Sequence, residues 1–312
     1  MTADGVRHLL ADDDLTPAEQ AEVLDLAAAL KAEPFSRRPL EGPRTVAMVF
    51  DKPTLRTQTS FSAGIAELGG FPMVVDGALA GIGERESVAD VARVLGRQAA
   101  AVVWRTGPQE RLEEMARHAG VPVVNALTDD YHPCQLLADL LTVREHTGSL
   151  AGRSVAFVGD GACNMGHSWL LAGAMAGMHV RVGAPVGYQP ADDVVARAGA
   201  LASGTGGSAT VVADVGEAVD GVDVVVTDTW VSMGFEEQSA DRTAALAPYA
   251  VTEDLVALAD ADAIVMHCLP AYRGREISAE VLDGPRSVVW DEAENRRHAQ
   301  KAVLAWLLER SP

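Results

Sequence analysis

Between Phe50 and Phe61 the chain reads FDKPTLRTQTSF, which gathers Lys52, Arg56 and the hydroxyls of Thr54, Thr57, Thr59 and Ser60 into one short stretch. The Val-rich run before it reads as a strand, and Phe61, Ile65 and Leu68 give the residues after it a helical apolar stripe. A helix amino terminus offers unpaired amide hydrogens and a partial positive charge, so Arg56 and the hydroxyls would add directed donors to an anion cradle. The glycine pattern of a P-loop is missing. The plain alternative is Thr capping of a helix beside a surface Arg.

Two further strand ends carry similar chemistry. WRTG places Arg105 where a guanidinium could grip an anionic oxygen, and YHPCQ sets His132 and Gln135 at a helix start, poised to donate to a carbonyl or phosphate oxygen. A solvated Arg or a structural His would explain either motif alone, but three such loops on successive strand ends are harder to dismiss.

The second half has a different character. VGDGACNMG approaches a dinucleotide fingerprint but has Asn164 where the third glycine belongs, and no acidic residue closes the next strand to hold a ribose. A nicotinamide cofactor is therefore disfavoured, and Asn164 is left to read an amino or carboxylate group. DTWVSMG contributes Asp228, Ser232 and Met233, and HCLP contributes His267, Cys268, Leu269 and Pro270. Asp228 offers a carboxylate to a cationic amine, with Cys268 a small polarizable neighbour in the expected sheet order. Cys163 and His167 share a helical face, but with His132, Cys134, His267 and Cys268 they are scattered rather than clustered at zinc spacing, so no metal is expected. GHSW lacks the nucleophile-elbow pattern.

The elements that must hold these residues follow from the pattern of apolar runs. TVAMVF, FPMVVDG, AAVVWRT and VPVVNAL alternate with amphipathic segments, and the series restarts with SVAFVGDG, HVRVGAP, ATVVAD, DVVVTDTW and AIVMHCLP. The fold class expected is α/β, with two doubly wound parallel-sheet domains and the active site in the cleft between them. The domains would span 1–135 and 136–291, with the segment His132 to His146 as a bridging helix. SVVW reads as a last short strand before a final amphipathic helix, 292–312, able to pack on either domain.

Composition excludes several partners. With 44 acidic against 25 basic residues the formal net charge is −19, which argues against nucleic acid and anionic membrane. Three cysteines form no disulfide framework and suit a reducing compartment, and the acidic amino terminus lacks a signal-peptide core, so a cytoplasmic location is expected.

Taken together the loops resemble those of the aspartate/ornithine carbamoyltransferase family. Thr54, Leu55, Arg56, Thr57 and Gln58 align with its Ser-Thr-Arg-Thr-Arg, HPCQ with its His-Pro-x-Gln, and DTWVSMG and HCLP with the ornithine-type motifs; AENRRH matches its terminal Ala-Glu-Asn-Arg. The resemblance implies that Thr54, Leu55, Arg56, Thr57 and Arg105 hold the phosphate of carbamoyl phosphate. His132, Arg105 and Thr57 would polarise its carbonyl, Gln135 would orient its amine, and Arg296 would complete the pocket. Asn164, Asp228, Ser232 and Met233 would hold L-ornithine, with Cys268 and Leu269 beside the reacting amine; Arg105, His132, Cys268 and Arg296 are the catalytic set. The product would be citrulline, for arginine biosynthesis. The last helix would return to the first domain, three chains would form a homotrimer, and no cofactor is needed. Leu55 and Gln58 leave the cradle one hydroxyl and one positive charge short, and Gly81 stands where ornithine enzymes commonly place a Gln that reaches a neighbour, with Arg85 as a possible substitute. Another diamino-acid acceptor, such as N-acetylornithine or lysine, and a catalytically silent regulatory relative are the alternatives.

Overall fold

The computed structural model describes residues 5–231 and 239–312. The chain divides into two compact units, Met1–Leu141 with Glu294–Pro312, and Thr142–Ala293. Both divisions fall inside helices, Pro133–Thr147 and Val289–Arg310.

The first unit holds strands β1 (Thr45–Phe50), β2 (Phe71–Asp76), β3 (Ala101–Arg105) and β4 (Val123–Leu127) in one parallel sheet of order β2-β1-β3-β4. The second holds β5 (Ser154–Val158), β6 (His179–Gly183), β7 (Ser208–Val212), β8 (Val224–Thr227) and β9 (Ile264–His267), also parallel, in the order β7-β6-β5-β8-β9. Continuous Val, Ala and Met runs make these strands because the central ones are covered on both faces. Every residue of β8 and β9 is buried, as are all of β1 but its first residue and all of β3 and β4 but their last.

The strand orders decide where ligands can sit. In the first sheet the chain winds outward from β1 to β2 and then returns to build β3 and β4 on the other side, so the direction switches between β1 and β3. In the second it winds from β5 through β6 to β7 before β8 and β9 form beyond β5, so the switch lies between β5 and β8. Ligands of open parallel sheets bind beyond the strand carboxyl ends at such a switch. The loops there begin at Asp51, Thr106, Gly159 and Asp228.

SVVW is not a strand. Only Ser287 makes a bridge, to Val265, and the last helix already begins at Val289. Val289 is fully buried with Val265, Leu282 and Tyr249 in the core of the second unit, so a helical start buries what looked like a strand residue.

Farther along that helix the side chains meet the first unit. Lys301, fully buried, donates to the Leu30 carbonyl at 3.1 Å and pairs with Glu67, and Trp306 Nε1 donates to Glu22 at 3.1 Å. Lys31 donates to Asn295 at 2.8 Å. Removing one partner of a buried pair strands the other charge, at a cost of about 3 kcal/mol or more. Lys301→Ala should therefore lower stability by about that amount in chemical denaturation, and Lys301→Met, which keeps the aliphatic stem, should lower it less.

Candidate active site

The anion loop enters the helix Arg56–Glu67, whose Thr57, Phe61, Gly64 and Ile65 are buried at helical spacing. Fixing Phe61 and Ile65 in the core, at about 1.5–3 kcal/mol each, anchors the helix and so places its amino end. The capping residue is Leu55, 73% exposed, which supplies no side-chain hydrogen bond to the first turn. The hydroxyls divide. Thr59 turns back to the Leu55 and Arg56 carbonyls, both at 3.1 Å, and Ser60 to the Arg56 carbonyl at 2.7 Å, so the helix absorbs two of the donors the sequence suggested for the cradle.

Thr57 has a different partner. Arg296 Nη2 donates to Thr57 Oγ1 at 2.9 Å, and Nη1 donates to Gln135 Oε1. Gln135 in turn donates to Asp139 Oδ1 at 2.8 Å. Accepting from Arg296 leaves the Thr57 hydroxyl its own proton to donate. Thr57, Gln135, Asp139 and Arg296 are all buried, so this chain fixes the side chains of three distant segments against one another. His132 is buried beside them, and burial, reinforced by the positive charges of Arg296 and Arg105, holds its imidazole well below the ordinary pKa of 6.5. It is a neutral imidazole, with an N–H to donate and no net charge. Arg105 ends β3 directly beside Phe50 of β1, which brings its loop next to the anion loop. Thr54 and Arg56 are half-buried in that loop.

In the second unit, register sets Val158 beside Thr227 and Thr227 beside His267, so the loops after β5, β8 and β9 are neighbours. Cys268 Sγ donates to Asp228 Oδ1 at 3.1 Å, and the Thr229 amide donates to the same oxygen at 2.7 Å. Asn164 opens the helix Asn164–Met175, whose capping residue Cys163 makes no side-chain bond to it. Burial holds the Cys163 thiol well above its ordinary pKa of 9, with Asp160 and Asp228 pushing the same way. Asp160 pairs with Arg242, which also donates to the Trp230 carbonyl at 2.8 Å. Leu269 takes a left-handed φ of 59°, rare for a side chain of its size, and its amide donates to His267 Nδ1 at 2.9 Å. Ser232 and Met233 lie outside the described residues.

The glycines of VGDGACNMG have packing reasons of their own. A Cβ on Gly166 would sit 2.4 Å from the Gly161 carbonyl oxygen. The first turn of the helix presses on the loop, with no dinucleotide required. Asp228, His267 and Cys268 bring ligand-type atoms within 4.8 Å of one another. The His267 nitrogens face the Leu269 amide and Glu276 Oε1, the latter at 3.3 Å, so the ring is engaged within the protein.

Comparison with known proteins decides what this geometry belongs to. The family model for the carbamoyl-P binding domain of aspartate/ornithine carbamoyltransferase matches residues 7–145, and that for the Asp/Orn binding domain matches residues 151–307. The chain belongs to the aspartate/ornithine carbamoyltransferase family. An ornithine carbamoyltransferase of Clavibacter michiganensis subsp. michiganensis is 63% identical over 305 residues, 98% of this chain and 99% of that protein. Among solved structures, ornithine carbamoyltransferase from Pyrococcus furiosus is 42% identical with a TM-score of 0.92, covering 98% of this chain and 97% of its own. That from Gloeobacter violaceus is 44% identical with a TM-score of 0.88, covering 97% and 98%.

Within this family fold the structure joins Thr57, Gln135 and Arg296 by hydrogen bonds, sets His132 in the field of Arg105 and Arg296, and joins Asp228 to Cys268. Sequence reasoning missed Asp139, which orients Gln135, and Glu276, which backs His267. Gly81 is more than a missing side chain: it caps the short helix Gly77–Ala80 at φ 65°, where a side chain is strained, and a Cβ there would lie 3.0 Å from that of Arg85.

A histidine with a depressed folded pKa resists protonation, so its contribution to stability is intact above pH 6.5 and is lost as pH falls below it. The His132 ring resonance, assigned by its absence in His132→Gln, should show no titration between pH 8 and 5.5. A midpoint near 6.5 would mean a solvated ring.

Proposed function

We propose that the chain transfers the carbamoyl group of carbamoyl phosphate to the side-chain amine of L-ornithine, giving L-citrulline and phosphate. The observation that carries this reading is the buried Arg296–Thr57–Gln135 chain beside a neutral His132, on the switch-point loops of a carbamoyl-P binding domain. The names of relatives between 57% and 63% identical support ornithine as acceptor.

In this reading the first-turn amides of the helix Arg56–Glu67, with Thr54, Leu55, Arg56 and Arg105, hold the phosphate. Thr57, His132 and Arg105 donate to the carbonyl oxygen, whose negative charge grows as the amine adds to the carbon. A well-placed donor to such an oxygen is worth about 3 kcal/mol. Gln135, steered by Arg296 and Asp139, orients the carbamoyl amine. Asn164, Asp228, Ser232 and Met233 hold ornithine, and Cys268 and Leu269 stand by its side-chain nitrogen. An alkylamine of pKa about 10.4 is neutral in about one molecule in a thousand at pH 7.4, so the acceptor must lose a proton before its nitrogen bonds to carbon. Collapse of the adduct breaks the bond to the phosphate oxygen, and phosphate leaves with the electron pair. The ammonium proton passes to solvent before the attack, the proton released as nitrogen bonds to carbon leaves with the departing phosphate, and the assigned groups hold and polarise the reactants without a cofactor.

Citrulline suits arginine biosynthesis, since its ureido oxygen has only to be exchanged for nitrogen to make a guanidine. A cytoplasmic location is supported by three cysteines outside any disulfide among the described residues. No helix among them is long and apolar enough to cross a membrane.

Assembly into a homotrimer belongs to the same proposal. Its support is β2, a sheet edge whose Phe71 and Val74 are 55% and 52% exposed, an apolar edge that a lone chain would normally blunt with charge. Sedimentation should find three copies of the 32.7 kDa chain, and Val74→Lys should shift the population toward smaller species. A wild-type monomer would refute the trimer.

The decisive assay is citrulline formation from carbamoyl phosphate and ornithine, with N-acetylornithine, lysine and putrescine as competing acceptors. Arg56→Ala should cut kcat/KM at least a hundredfold while circular dichroism stays native. Wild-type turnover in that variant would overturn the assignment of the phosphate site, and preference for another acceptor would overturn that of ornithine.

A further inference from the structure

We infer that Asp51, the first residue after β1, is a positioning residue that fixes the aim of Arg105 and ties the anion loop to the segment after β2; this rests on the functional reading above. Its carboxylate, 14% exposed, accepts from Trp104 Nε1 at 3.0 Å, from Thr106 Oγ1 at 2.7 Å and from Arg111 Nη1 at 3.0 Å. Its amide donates to the Arg105 carbonyl at 3.0 Å. One residue therefore holds the positions immediately before and after Arg105, and the backbone of Arg105 itself.

The local pairing explains why such a clamp is needed. The register of β3 on β4 slips between Trp104, opposite Asn125, and Arg105, opposite Leu127. An irregularity of this kind re-aims a side chain and weakens the ladder that would otherwise fix it. The hydrogen bonds from Trp104 and Thr106 to Asp51 replace that constraint, and they do so from the side on which the anion loop begins. Arg105 and the loop are thereby set relative to each other through a single carboxylate.

Arg111 adds reach and removes charge. Its guanidinium lies over the Trp104 ring at 5.1 Å and donates Nη2 to the Ile82 carbonyl at 2.5 Å. A Cβ on Gly77 would meet Asp51 Oδ1 at 2.1 Å, so the segment Gly77–Ile82 rests against the carboxylate at one end and is held by Arg111 at the other. A bare carboxylate at the head of a phosphate loop would repel its ligand; paired with Arg111 it supplies geometry with little net field.

The test measures KM for carbamoyl phosphate and for ornithine separately in Asp51→Asn, Thr106→Val and the double variant, with Asp90→Asn, at an exposed ion pair, as control. In both single variants KM for carbamoyl phosphate should rise, by about tenfold or more in Asp51→Asn, while KM for ornithine stays within about twofold. The double variant should fall short of the product of the two effects, because both act through one carboxylate. If Asp51→Asn fails to fold, Thr106→Val decides alone. A wild-type KM for carbamoyl phosphate in folded variants, whatever the loss of thermal midpoint, overturns the inference, as does a rise confined to ornithine. A wild-type protein that makes no citrulline refutes the functional reading instead. Calorimetry with inorganic phosphate then judges Asp51 by itself: weaker binding in the variants supports the role, and unchanged binding ends it.

Discussion

Parallel strands all finish on one side of their sheet, and the helices that follow them start there. Carbonyl ends, helix amino termini and the loops between them are thus collected along one edge by topology alone, before any side chain is chosen. Each candidate residue of this family member that lies in a described loop occupies that edge, and the densest groups stand at the switch points between β1 and β3 and between β5 and β8. The chemistry could not move to another part of either sheet without losing the uncapped first turns of the helices Arg56–Glu67 and Asn164–Met175.

What topology collects, burial must then hold still. A guanidinium taken from water is costly unless its donors find acceptors, and Arg296 donates to a hydroxyl and an amide from two other elements. The same bonds orient Thr57 and Gln135. Burial above all keeps His132 neutral, and the charges of Arg296 and Arg105 push the same way, so one buried cation serves packing, orientation and protonation state together. The Lys301 and Asn295 contacts on the same helix set its rotation and register, without which Arg296 would point elsewhere.

The strands were legible because both-face burial leaves an uninterrupted apolar run, and the loops because their chemistry follows directly on those runs. SVVW misled for the same reason: an apolar tetrad satisfies a helix that enters a core as well as it satisfies a strand, and periodicity over four residues cannot separate them. Thr59 and Ser60 looked like ligand donors, yet a hydroxyl inside a helix finds a carbonyl one turn back before it finds anything else. The residues that went unseen have partners in the fold that the sequence does not announce. Asp51 meets Trp104, Thr106 and Arg111, between 53 and 60 positions away, and Arg296 meets Gln135 across 161. Even Asp139, one helical turn from Gln135, shows its purpose only once Arg296 is in place on the other side of the amide.

A chain of formal net charge −19 that binds a phosphorylated substrate looks contradictory until distance is considered. At physiological ionic strength exposed charges are screened over about 8 Å, so most of the surface acids are weakly felt at the anion loop. Buried groups are screened far less. Arg296 and the half-buried Arg105, with the partial charge of a helix amino terminus, therefore weigh most in the local field, and the carboxylate at the head of the loop, Asp51, is matched by Arg111. Net charge describes the solvated surface of such a protein; the few cations inside decide what it holds.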